Sequence, residues 1–218
     1  MQNTERLKSV AHDYILKGLI SGKFKSGKYL NIDVLCQSLG MSKTPIRDAL
    51  VKLESENLAS REGRYYYVFT LSSKEVKEIY ELKRILEGEA AFIAATRATN
   101  NDLDNMGNAI DQISSLLKTS DPDPVLLADL SGNFHKAVAI ATGNSYIVKY
   151  IEELRLKLRI IRVSLFTVIN RRLEDLNEHK AVFNAILSGD ANRSKKLMVA
   201  HQDKVINYVD ENLLIQFY

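Results

Sequence analysis

The spacing of apolar residues predicts α-helices along most of the chain. Within the first 58 residues, a period near 3.6 predicts helices over about 4–20, 32–38 and 45–58. In the third of these, the apolar positions share one face that should pack inward: Ile46, Ala49, Leu50 and Leu53. The same helix begins with polar and basic residues that are left exposed: Lys43, Thr44, Arg47 and Asp48.

The turn before this third helix has its own sequence signature. Gly40 can adopt a left-handed conformation without steric cost, which suits a tight turn between two helices. Pro45 suits the first helical position, where its missing N–H would have no partner. Ser42 or Thr44 can cap the start of this helix, and because a residue before proline avoids the α region, Thr44 is the expected N-cap.

Residues 59–71 change from a helical period to short β segments. Glu62-Gly63 is a turn signal, and aromatic and β-branched residues follow it from Tyr65 to Phe69. The predicted order is therefore helix, helix, turn, helix and β-hairpin, complete by residue 70. This is the order of a winged helix-turn-helix, in which the start of the last helix meets the base edges of DNA.

Beyond residue 70 the pattern predicts six helices joined by short links. Ser72-Ser-Lys-Glu75 is a capping box that marks the start of the first of these helices. Asp121-Pro-Asp-Pro124 is the clearest break between two of them. The predicted bounds are about 73–99, 102–117, 124–142, 145–169, 172–187 and 191–214. The predicted fold class is mainly α, with a winged helix-turn-helix over residues 1–70 and an antiparallel six-helix bundle over residues 71–218.

The charge is distributed unevenly between these two parts. The whole chain carries 30 Lys and Arg against 27 Asp and Glu, a mild net charge of +3. Residues 1–70 hold 11 basic and 7 acidic side chains, whereas the remainder holds 19 and 20. Basic side chains raise DNA affinity by neutralising phosphates. The basic excess in residues 1–70 therefore agrees with the expectation that this part binds DNA.

The composition also indicates a compartment. Cys36 is the only cysteine, so no disulfide can form within the chain. The first ten residues, MQNTERLKSV, lack the apolar core of a secretory signal, and no apolar run approaches the ~18 residues of a membrane-spanning helix. We therefore expect a soluble cytoplasmic protein with no membrane partner.

Three of the four histidines lie in the predicted bundle, at His135, His179 and His201. Gly189 marks the turn between the last two helices, 10 residues after His179 and 12 before His201. At about 1.5 Å per residue, antiparallel helices bring both side chains to roughly 15–18 Å from that turn. His135 lies among apolar residues that should face the core.

If all three face inward, the imidazoles converge and form a set of ligands that suits Zn²⁺ or Ni²⁺. The simpler interpretation is that each histidine is a surface residue or a hydrogen-bonded one. Spacing alone leaves both open.

Two sets of motifs resemble a known family. LGMSKTPIRDALVKLESENL is similar to the turn and recognition helix of GntR-family transcription regulators, with Gly27-Lys-Tyr-Leu30 before it. The second set resembles the FCD effector domain found in one part of that family, in its six-helix, VanR-like branch. Its segments are Tyr80–Glu87, Ala90-Ala91, Ala94-Ala95, Phe134-His135, Thr142–Asn144, Glu178-His179, Ile186–Asp190 and His201.

This resemblance implies a ligand-responsive, DNA-binding transcription regulator and not an enzyme. It implies a homodimer that represses a catabolic or uptake operon through a palindromic operator in double-stranded DNA. The implied effector is a small organic acid, such as a sugar acid or a hydroxy acid, bound in the bundle. The implied DNA contacts are Lys43, Thr44 and Arg47 in the recognition helix and Arg64 in the wing. For Arg47, the alternative is a salt bridge with a nearby acid.

The chain departs from the family pattern at the metal site. The family usually carries an Asp four residues before the first metal-binding His, one helical turn earlier on the same face, and this chain has Ser131 there. Asp129 lies roughly 120° around the helix and is poorly placed to substitute. A Zn²⁺ or Ni²⁺ ion at His135, His179 and His201 therefore lacks its hard anionic ligand. It is expected to bind more weakly, keep an extra water or be absent.

Two further departures change the charge. The effector domain often has an Arg near the start of its first helix, where this chain has Lys83 followed by Arg84. Lys83 keeps the positive charge but cannot bind a carboxylate through two parallel hydrogen bonds as Arg would. Lys83 or Arg84 is expected to bind the effector carboxylate beside Ser131. Asp33 stands where relatives can carry a basic phosphate contact, which is expected to weaken or alter operator binding.

Several functions compete at this point. The first is a regulator with a metal-assisted effector site, and the second is the same regulator with a metal-free pocket whose histidines donate hydrogen bonds to the ligand. The third is a helical metal-dependent hydrolase, but the chain has no HExxH motif and no recognisable acid–base pair. Both a hydrolase and a nonspecific architectural DNA-binder would leave one half of the chain without a role. The sequence therefore favours the regulator.

Overall fold

The computed structural model describes residues 2–20, 23–25, 27–69 and 71–212, which divide into two compact units between Ser72 and Ser73. The elements of the first unit are α1 (Gln2–Ile20), α2 (Ile32–Leu39), α3 (Lys43–Ser55), β1 (Ala59–Glu62) and β2 (Tyr65–Val68). Those of the second are α4 (Ser73–Arg97), α5 (Asn100–Leu116), α6 (Pro124–Ile140), α7 (Ser145–Lys157), α8 (Arg159–Leu165), α9 (Ile169–Leu187) and α10 (Ala191–Asn212). This order confirms the predicted fold class, a mainly α chain with a winged helix-turn-helix before a helical domain.

The core of the first unit lies between α1 and α3. The four apolar residues of α3 that the helical period predicted to face inward are completely buried: Ile46, Ala49, Leu50 and Leu53. Ala11 and Ile15 of α1 are completely buried as well. Burying these side chains stabilises the unit by about 1.5–3 kcal/mol for each large aliphatic residue. This core holds α3 so that its polar face points away from α1.

The wing is the predicted hairpin with one additional backbone contact. β1 and β2 pair antiparallel, and Gly63 in the turn between them has a φ of +59°. The chain before α2 joins the far side of β2, because the Leu30 N–H donates to the Tyr66 carbonyl at 2.8 Å and the Val68 N–H donates to the Lys28 carbonyl at 2.9 Å. The hairpin is therefore tied by its backbone to the segment that leads into α2.

In the second unit α4 and α10 form the most extensive helix pair. The buried residues in the second half of α4 after Glu87 are small: Gly88, Ala90, Ala91 and Ala94. At Gly88 an added Cβ would lie 2.8 Å from a methyl group of Val199, so the two helices are close enough to exclude a side chain there. This close approach brings polar residues of α10 within hydrogen-bonding distance of α4.

The predicted fourth bundle helix, over residues 145–169, is in fact two helices. The described part of the second unit therefore has seven helices where the sequence predicted six. The break falls at the fully buried Leu158, and no glycine or proline lies near it. A second break follows Phe166, whose carbonyl accepts a hydrogen bond from Arg172 Nε at 2.5 Å. A side chain six residues later in the chain thus satisfies a backbone carbonyl at the end of α8, where the sequence has no glycine or proline as a stop signal.

Other helix ends follow the predicted signals. Asp123 caps α6 by accepting from the N–H groups of Val125 and Leu126, with Pro124 at the start of the helix. Gly189, in the turn before α10, has a φ of +72°. The predicted end of the last helix near Leu214 lies outside the described residues. The sequence therefore placed most boundaries of the bundle within a few residues of their positions.

Candidate DNA-binding surface and candidate metal centre

Gly40 ends α2 and turns the chain towards α3. Its φ is +62°, and its N–H donates to the Cys36 carbonyl. The N-cap of α3 is Ser42, so the prediction that Thr44 caps the helix and Pro45 begins it is wrong. Pro45 is the third helical residue, where an N–H would also lack an intrahelical partner, and its ring is buried. Lys43 and Thr44 therefore belong to the first turn of the helix.

The predicted DNA contacts of α3 all lie on its exposed first two turns. Lys43, Thr44 and Arg47 are exposed, and Arg47 forms no salt bridge with any described residue. Lys43 Nζ lies 2.7 Å from Asp33 Oδ1. The aspartate at position 33, where relatives can carry a basic residue, therefore partly neutralises the charge of Lys43, a predicted DNA contact. Because both side chains are more than half exposed, this pair stabilises the fold by at most about 1 kcal/mol and can be exchanged for a phosphate.

Arg64 lies in the turn of the wing. Its guanidinium donates to the Tyr65 hydroxyl at 2.8 Å and lies 5.1 Å from the centre of that ring. Tyr65 is 41% exposed, whereas Tyr66 is buried in the strand packing. The wing therefore presents an arginine that one aromatic side chain holds in place.

The structure brings His135, His179 and His201 together in the interior of the second unit. All three are buried, and their ligand atoms lie within 4.8 Å of one another. His135 Nε2 lies 3.1 Å from His179 Nε2, and the ring centres of His179 and His201 are 4.9 Å apart. α6, α9 and α10 thus each contribute one imidazole, as the counting of residues from Gly189 indicated for the last two.

Each of these histidines also has a carboxylate beside its other ring nitrogen. The three pairs, measured from the carboxylate oxygen to Nδ1, are Glu87 and His135 at 2.9 Å, Asp175 and His179 at 3.5 Å, and Glu178 and His201 at 2.7 Å. A carboxylate beside Nδ1 favours the tautomer with its proton on Nδ1, which leaves a lone pair on Nε2. The contact of His201 is a hydrogen bond, whereas the Nδ1 atoms of His135 and His179 make no hydrogen bond with a described residue, so we assign the tautomers of these two rings from the nearby carboxylates alone.

This tautomer makes the centre of the cluster electron-rich. With this assignment the Nε2 lone pairs of His135 and His179 face each other at 3.1 Å, whereas the other tautomer of either ring would make this contact a hydrogen bond. A cation that accepts both lone pairs removes this repulsion, and neutral imidazoles of this kind are common ligands of Zn²⁺ and Ni²⁺. The ligand set therefore fits a divalent metal.

Burial favours the neutral form of His135 and His179. It lowers the pKa of His135 to about 3, although Glu87 opposes the shift. It also lowers the pKa of His179 well below its usual range, and the neighbouring His135 and His201 add to the effect. Burial acts in the opposite direction on Glu178, but hydrogen bonds from His201 and Arg171 lower the pKa of this carboxyl to about 2. At pH 7 the cluster thus combines two neutral imidazoles, those of His135 and His179, with the ionised carboxylate of Glu178.

Glu87 belongs to a polar network that joins α4 to α10. Lys83 Nζ lies 2.7 Å from Glu87 Oε1, and Gln202 Nε2 donates to Glu87 Oε2 at 2.5 Å. Burial raises the pKa of Glu87, but the neighbouring His135 and Lys83 outweigh that effect and hold the pKa below its usual range. Burial lowers the pKa of Lys83, and its pairing with Glu87 opposes the shift. The ion pair therefore keeps a cation in the interior.

A cavity of about 20 Å³ lies beside the histidines. Its polar lining comes from α4, α6, α8, α9 and α10 and includes Tyr80, Lys83, Ser131, His135, Arg162, Asp175, His201 and Gln202. The Tyr80 hydroxyl is buried and has no hydrogen-bond partner in the described part of the chain. The cavity thus gathers two cations, a free hydroxyl and two of the histidines at one place.

Two residues considered at the sequence level lie elsewhere. Arg84 is exposed on the outer side of α4, where its Nε donates to Asp203 Oδ1 at 2.5 Å. Its neighbour Lys83 lies inside, so of the two predicted effector cations only Lys83 lines the cavity. Asp129 pairs with Arg159 at 3.4 Å and does not line the cavity, in agreement with its predicted unsuitability as a ligand.

Gly132 makes room for two arginines beside the cavity. A Cβ at this position would lie 2.8 Å from Arg155 Nη1 and 3.0 Å from Arg162 Nη2. Arg162 is buried and also donates to the Ala128 carbonyl of α6. The missing side chain therefore allows the Arg162 guanidinium to pack against α6 where it lines the cavity.

Sequence reasoning assigned no role to several residues of this cluster. Glu87 and Asp175 each lie four residues from a predicted site residue, Lys83 and His179 respectively, so i,i+4 spacing could have identified them. Glu178 directly precedes His179. Tyr80 and Arg162 carry no local signal, because their positions depend on how the helices pack.

An exposed basic helix start in a winged fold, with a separate helical unit around a polar cavity, defines a DNA-binding transcription regulator. The family model described as the FCD domain matches residues 78–204, and the model described as bacterial regulatory proteins, gntR family, matches residues 7–65. The chain belongs to the GntR family of bacterial transcription regulators and carries an FCD domain. The prediction that it is not an enzyme is confirmed, because its family and relatives are transcription regulators.

Relatives match over most of the chain. The HTH-type transcriptional regulator LutR of Bacillus subtilis (strain 168) is 26% identical over 222 residues, covering 88% of this chain and 98% of LutR. The gluconate operon transcriptional repressor of Bacillus licheniformis is 26% identical over 204 residues, covering 91% of this chain and 83% of that protein. Among solved structures, E. coli McbR/YncC has a TM-score of 0.65 at 21% identity, covering 94% of this chain and 97% of that one, which shows a shared fold. Within the described residues, no helix is long and apolar enough to cross a membrane.

Proposed function

We propose that this protein is a homodimeric, ligand-responsive repressor that acts in the cytoplasm, where its operator is. In this proposal residues 1–70 bind a palindromic operator, and residues 71–218 bind a small carboxylate and form the dimer. The observation that carries the proposal is the convergence of three buried histidines beside a buried cavity that Lys83 and Arg162 line. Buried cations without a catalytic acid–base pair suit the binding of an anion.

In this proposal His135, His179 and His201 hold a divalent metal, Zn²⁺ or Ni²⁺, through their Nε2 atoms. When bound, the metal supplies a Lewis-acidic point for one oxygen of the effector carboxylate. Glu87, Asp175 and Glu178 lie beside the three Nδ1 atoms and, in this proposal, favour the tautomer that leaves each Nε2 free for the metal. Such outer carboxylates typically change metal affinity by about 10- to 100-fold.

The same cavity supplies partners for the effector itself. Lys83 and Arg162 offer charge, and the Tyr80 hydroxyl offers a hydrogen bond that it makes with no described residue. The name of the gluconate operon repressor fits a sugar acid as the class of effector. A cavity of about 20 Å³ has room for little more than one water molecule, so an effector of several heavy atoms must move the walls. This required movement is the way in which binding could alter the DNA-bound state.

The effector proposal can be tested with gluconate and lactate as probes. A ligand at 100 times its Kd stabilises the folded state by about 2.7 kcal/mol, which raises the Tm of a domain of this size by roughly 5–10 °C. Tyr80→Phe should reduce the affinity of the probe that binds by roughly 10- to 100-fold, because a hydrogen bond to a charged group is lost. Titration of the Tm against probe concentration measures this.

Arg84→Gln is the matched control for this experiment. Arg84 is an exposed cation on the same helix, paired with Asp203 outside the cavity, so its replacement should leave the shift in Tm unchanged. Loss of the shift in Arg84→Gln together with a full shift in Tyr80→Phe would place the effector on the outer face of α4. No shift with any small carboxylate in the wild type would contradict the effector proposal itself.

The division of labour between the two units is a separate prediction. Residues 73–218 produced alone should remain folded, because this unit has its own core, and should sediment as a dimer in analytical ultracentrifugation. Two winged domains can meet two half-sites about one helical turn of DNA apart only if another part of the chain pairs them. A folded monomer from residues 73–218 would show that the dimer forms elsewhere.

A further inference from the structure

The wing carries a patch of tyrosines on the outer face of its small sheet. Tyr65 and Tyr67 alternate along β2 with the buried Tyr66 and Val68, so they lie on the opposite face. Tyr29, in the segment that joins the far side of β2, is paired with Tyr67 and therefore lies on the same face. Tyr29 and Tyr65 are 44% and 41% exposed. The core of this unit therefore does not account for these two side chains.

The rings of this patch support one another. Tyr29 meets Tyr65 edge to face, with the ring centres 5.6 Å apart and the planes at 78°. The same ring lies 5.9 Å from the ring centre of Tyr67. Backbone hydrogen bonds on either side of Tyr29 tie its segment to β2. Because edge-to-face contact is a favourable geometry for aromatic pairs, Tyr29 supports the Tyr65 ring from outside the hairpin.

Tyr65 in turn holds Arg64. Its hydroxyl accepts a hydrogen bond from Arg64 Nη2 at 2.8 Å, and its ring lies 5.1 Å from the guanidinium. These contacts leave most of the N–H donors of Arg64 available to another partner. A long side chain that is ordered before binding loses less conformational entropy when it binds. The guanidinium is thus both accessible and held in advance.

The turn that carries Arg64 is narrow. Gly63 has a φ of +59° and no side chain, and Arg61 Nε donates to its carbonyl at 2.8 Å. Arg64 therefore supplies the side chain of a two-residue tip. The minor groove of B-DNA is only about 6 Å wide and is narrower in A-tracts, where its enhanced negative potential attracts arginine. A tip with a single cationic side chain suits such a groove.

We propose that Tyr65, supported by Tyr29, is a positioning residue that holds Arg64 for a narrow, A·T-rich minor groove. This groove lies beside the major groove that α3 enters. The inference rests on the operator binding proposed for residues 1–70. It implies that the operator favours A·T pairs under the wing, at positions that α3 does not contact.

The test is a double-mutant cycle on the DNA affinity of the full-length protein. The probe is a duplex that the wild type selects from a random library, and fluorescence anisotropy at fixed salt gives its Kd. Tyr65→Phe keeps the ring and removes the hydroxyl, so it should weaken binding by about 3- to 10-fold. In an Arg64→Gln background the same change should have no further effect, because no guanidinium is left to hold. Equal losses in both backgrounds would show that Tyr65 acts independently of Arg64 and would overturn the inference.

Two further variants complete this experiment. Tyr29→Leu removes the ring that supports Tyr65 and should also weaken binding, again only while Arg64 is present. Tyr14→Phe is the matched control, because on α1 the Tyr14 hydroxyl accepts from Lys23 Nζ at 2.7 Å and the ammonium lies 4.6 Å from the ring centre. It removes the same kind of contact outside the wing and α3, so its affinity should equal that of the wild type. A loss as large as that of Tyr65→Phe would contradict a specific role of the wing contact.

Base analogues identify the groove that Arg64 enters. Inosine lacks the N2 amino group of guanine, so an I·C pair has the minor-groove pattern of A·T and the major-groove pattern of G·C. The wild type should bind equally well with A·T or I·C pairs under the wing, and about 3- to 10-fold more weakly with G·C pairs there. Arg64→Gln should bind all three duplexes alike. A wild type that binds I·C as weakly as G·C, or all three alike, would overturn the inference.

Failure of this inference can be told apart from failure of operator binding itself. A wild type that enriches no sequence from the library contradicts the proposed operator binding, and the inference with it. A wild type that binds its selected duplex tightly beside a Tyr65→Phe variant of equal affinity contradicts only the role of Tyr65. The Tm of each variant checks that it folds.

Discussion

Arg47→Ala should lower the affinity of the protein for its specific operator by about 10- to 100-fold. Arg47 is exposed on the second turn of α3 and forms no salt bridge with the described residues, so its guanidinium is available to a guanine. A bidentate contact to guanine O6 and N7 contributes about 1–3 kcal/mol of discrimination, and each 1.4 kcal/mol is a tenfold change in Kd. Because Arg47 contributes nothing to the buried face of α3, the Tm should be unchanged.

The measurement requires a defined DNA. Sequences that the wild type enriches from a random duplex library supply a specific probe, and a scrambled duplex of equal length supplies the nonspecific one. Fluorescence anisotropy at fixed salt then gives both affinities for each variant, since affinities at different salt concentrations cannot be compared. Arg47→Ala should lose specific affinity much more than nonspecific affinity.

Lys52→Ala is the matched control on the same helix. Lys52 is an exposed cation near the end of α3, 3.9 Å from Glu56, and lies outside the first two turns. Its replacement should change both affinities by less than about threefold, as expected of a weak surface pair. Equal losses in Lys52→Ala and Arg47→Ala would indicate a general electrostatic effect. Such equal losses would contradict the prediction that the start of α3 contacts DNA bases.

The second large effect is expected at the metal centre. His179→Ala should abolish stoichiometric binding of Zn²⁺ or Ni²⁺, because the alanine removes one of three imidazole ligands from the centre of the cluster. His201→Ala should have the same effect from a different helix, which guards against a local packing defect where His179 stacks on Phe134. Metal content of the purified proteins, measured by mass spectrometry after exposure to each metal, reports the result.

The fourth histidine supplies the control for this experiment. His12 lies in the DNA-binding unit, where its Nε2 lies 2.8 Å from Glu56 Oε2, and His12→Gln can retain a hydrogen bond there. Its metal content should equal that of the wild type. If neither the wild type nor any variant holds metal, the metal-free interpretation gains support, in which the histidines donate hydrogen bonds to the effector directly.

Periodic features of this fold could be predicted from the sequence. The apolar spacing in α3 identified the buried face, with Ile46 and Leu50 fully enclosed. Counting residues from Gly189 placed His179 and His201 at the same height because a helix has a constant rise. Both inferences rely on the regular period and rise of the α-helix, so a single sequence is enough to make them.

Features set by packing between distant helices could not be predicted in this way. Lys83 and Arg84 are neighbours, so composition and charge could not decide which one faces inward, and the contact between α4 and α10 decides it. Arg162 lies on a short helix whose end depends on Arg172 and carries no glycine or proline. The role of Thr44 as a cap was wrong because the first turn of α3 extends across the residue before Pro45.

The absence of a side chain at Gly132 has a consequence for the effector that this protein is proposed to bind. Any residue with a Cβ at this position would push first on the guanidinium groups of Arg155 and Arg162, before it altered a histidine or the helix that reads the operator. A single methyl group at this position would therefore change the anion preference proposed for the cavity and leave the proposed operator-binding residues of α3 unaltered. For an engineer who builds a metabolite sensor, position 132 is the place at which to begin a library.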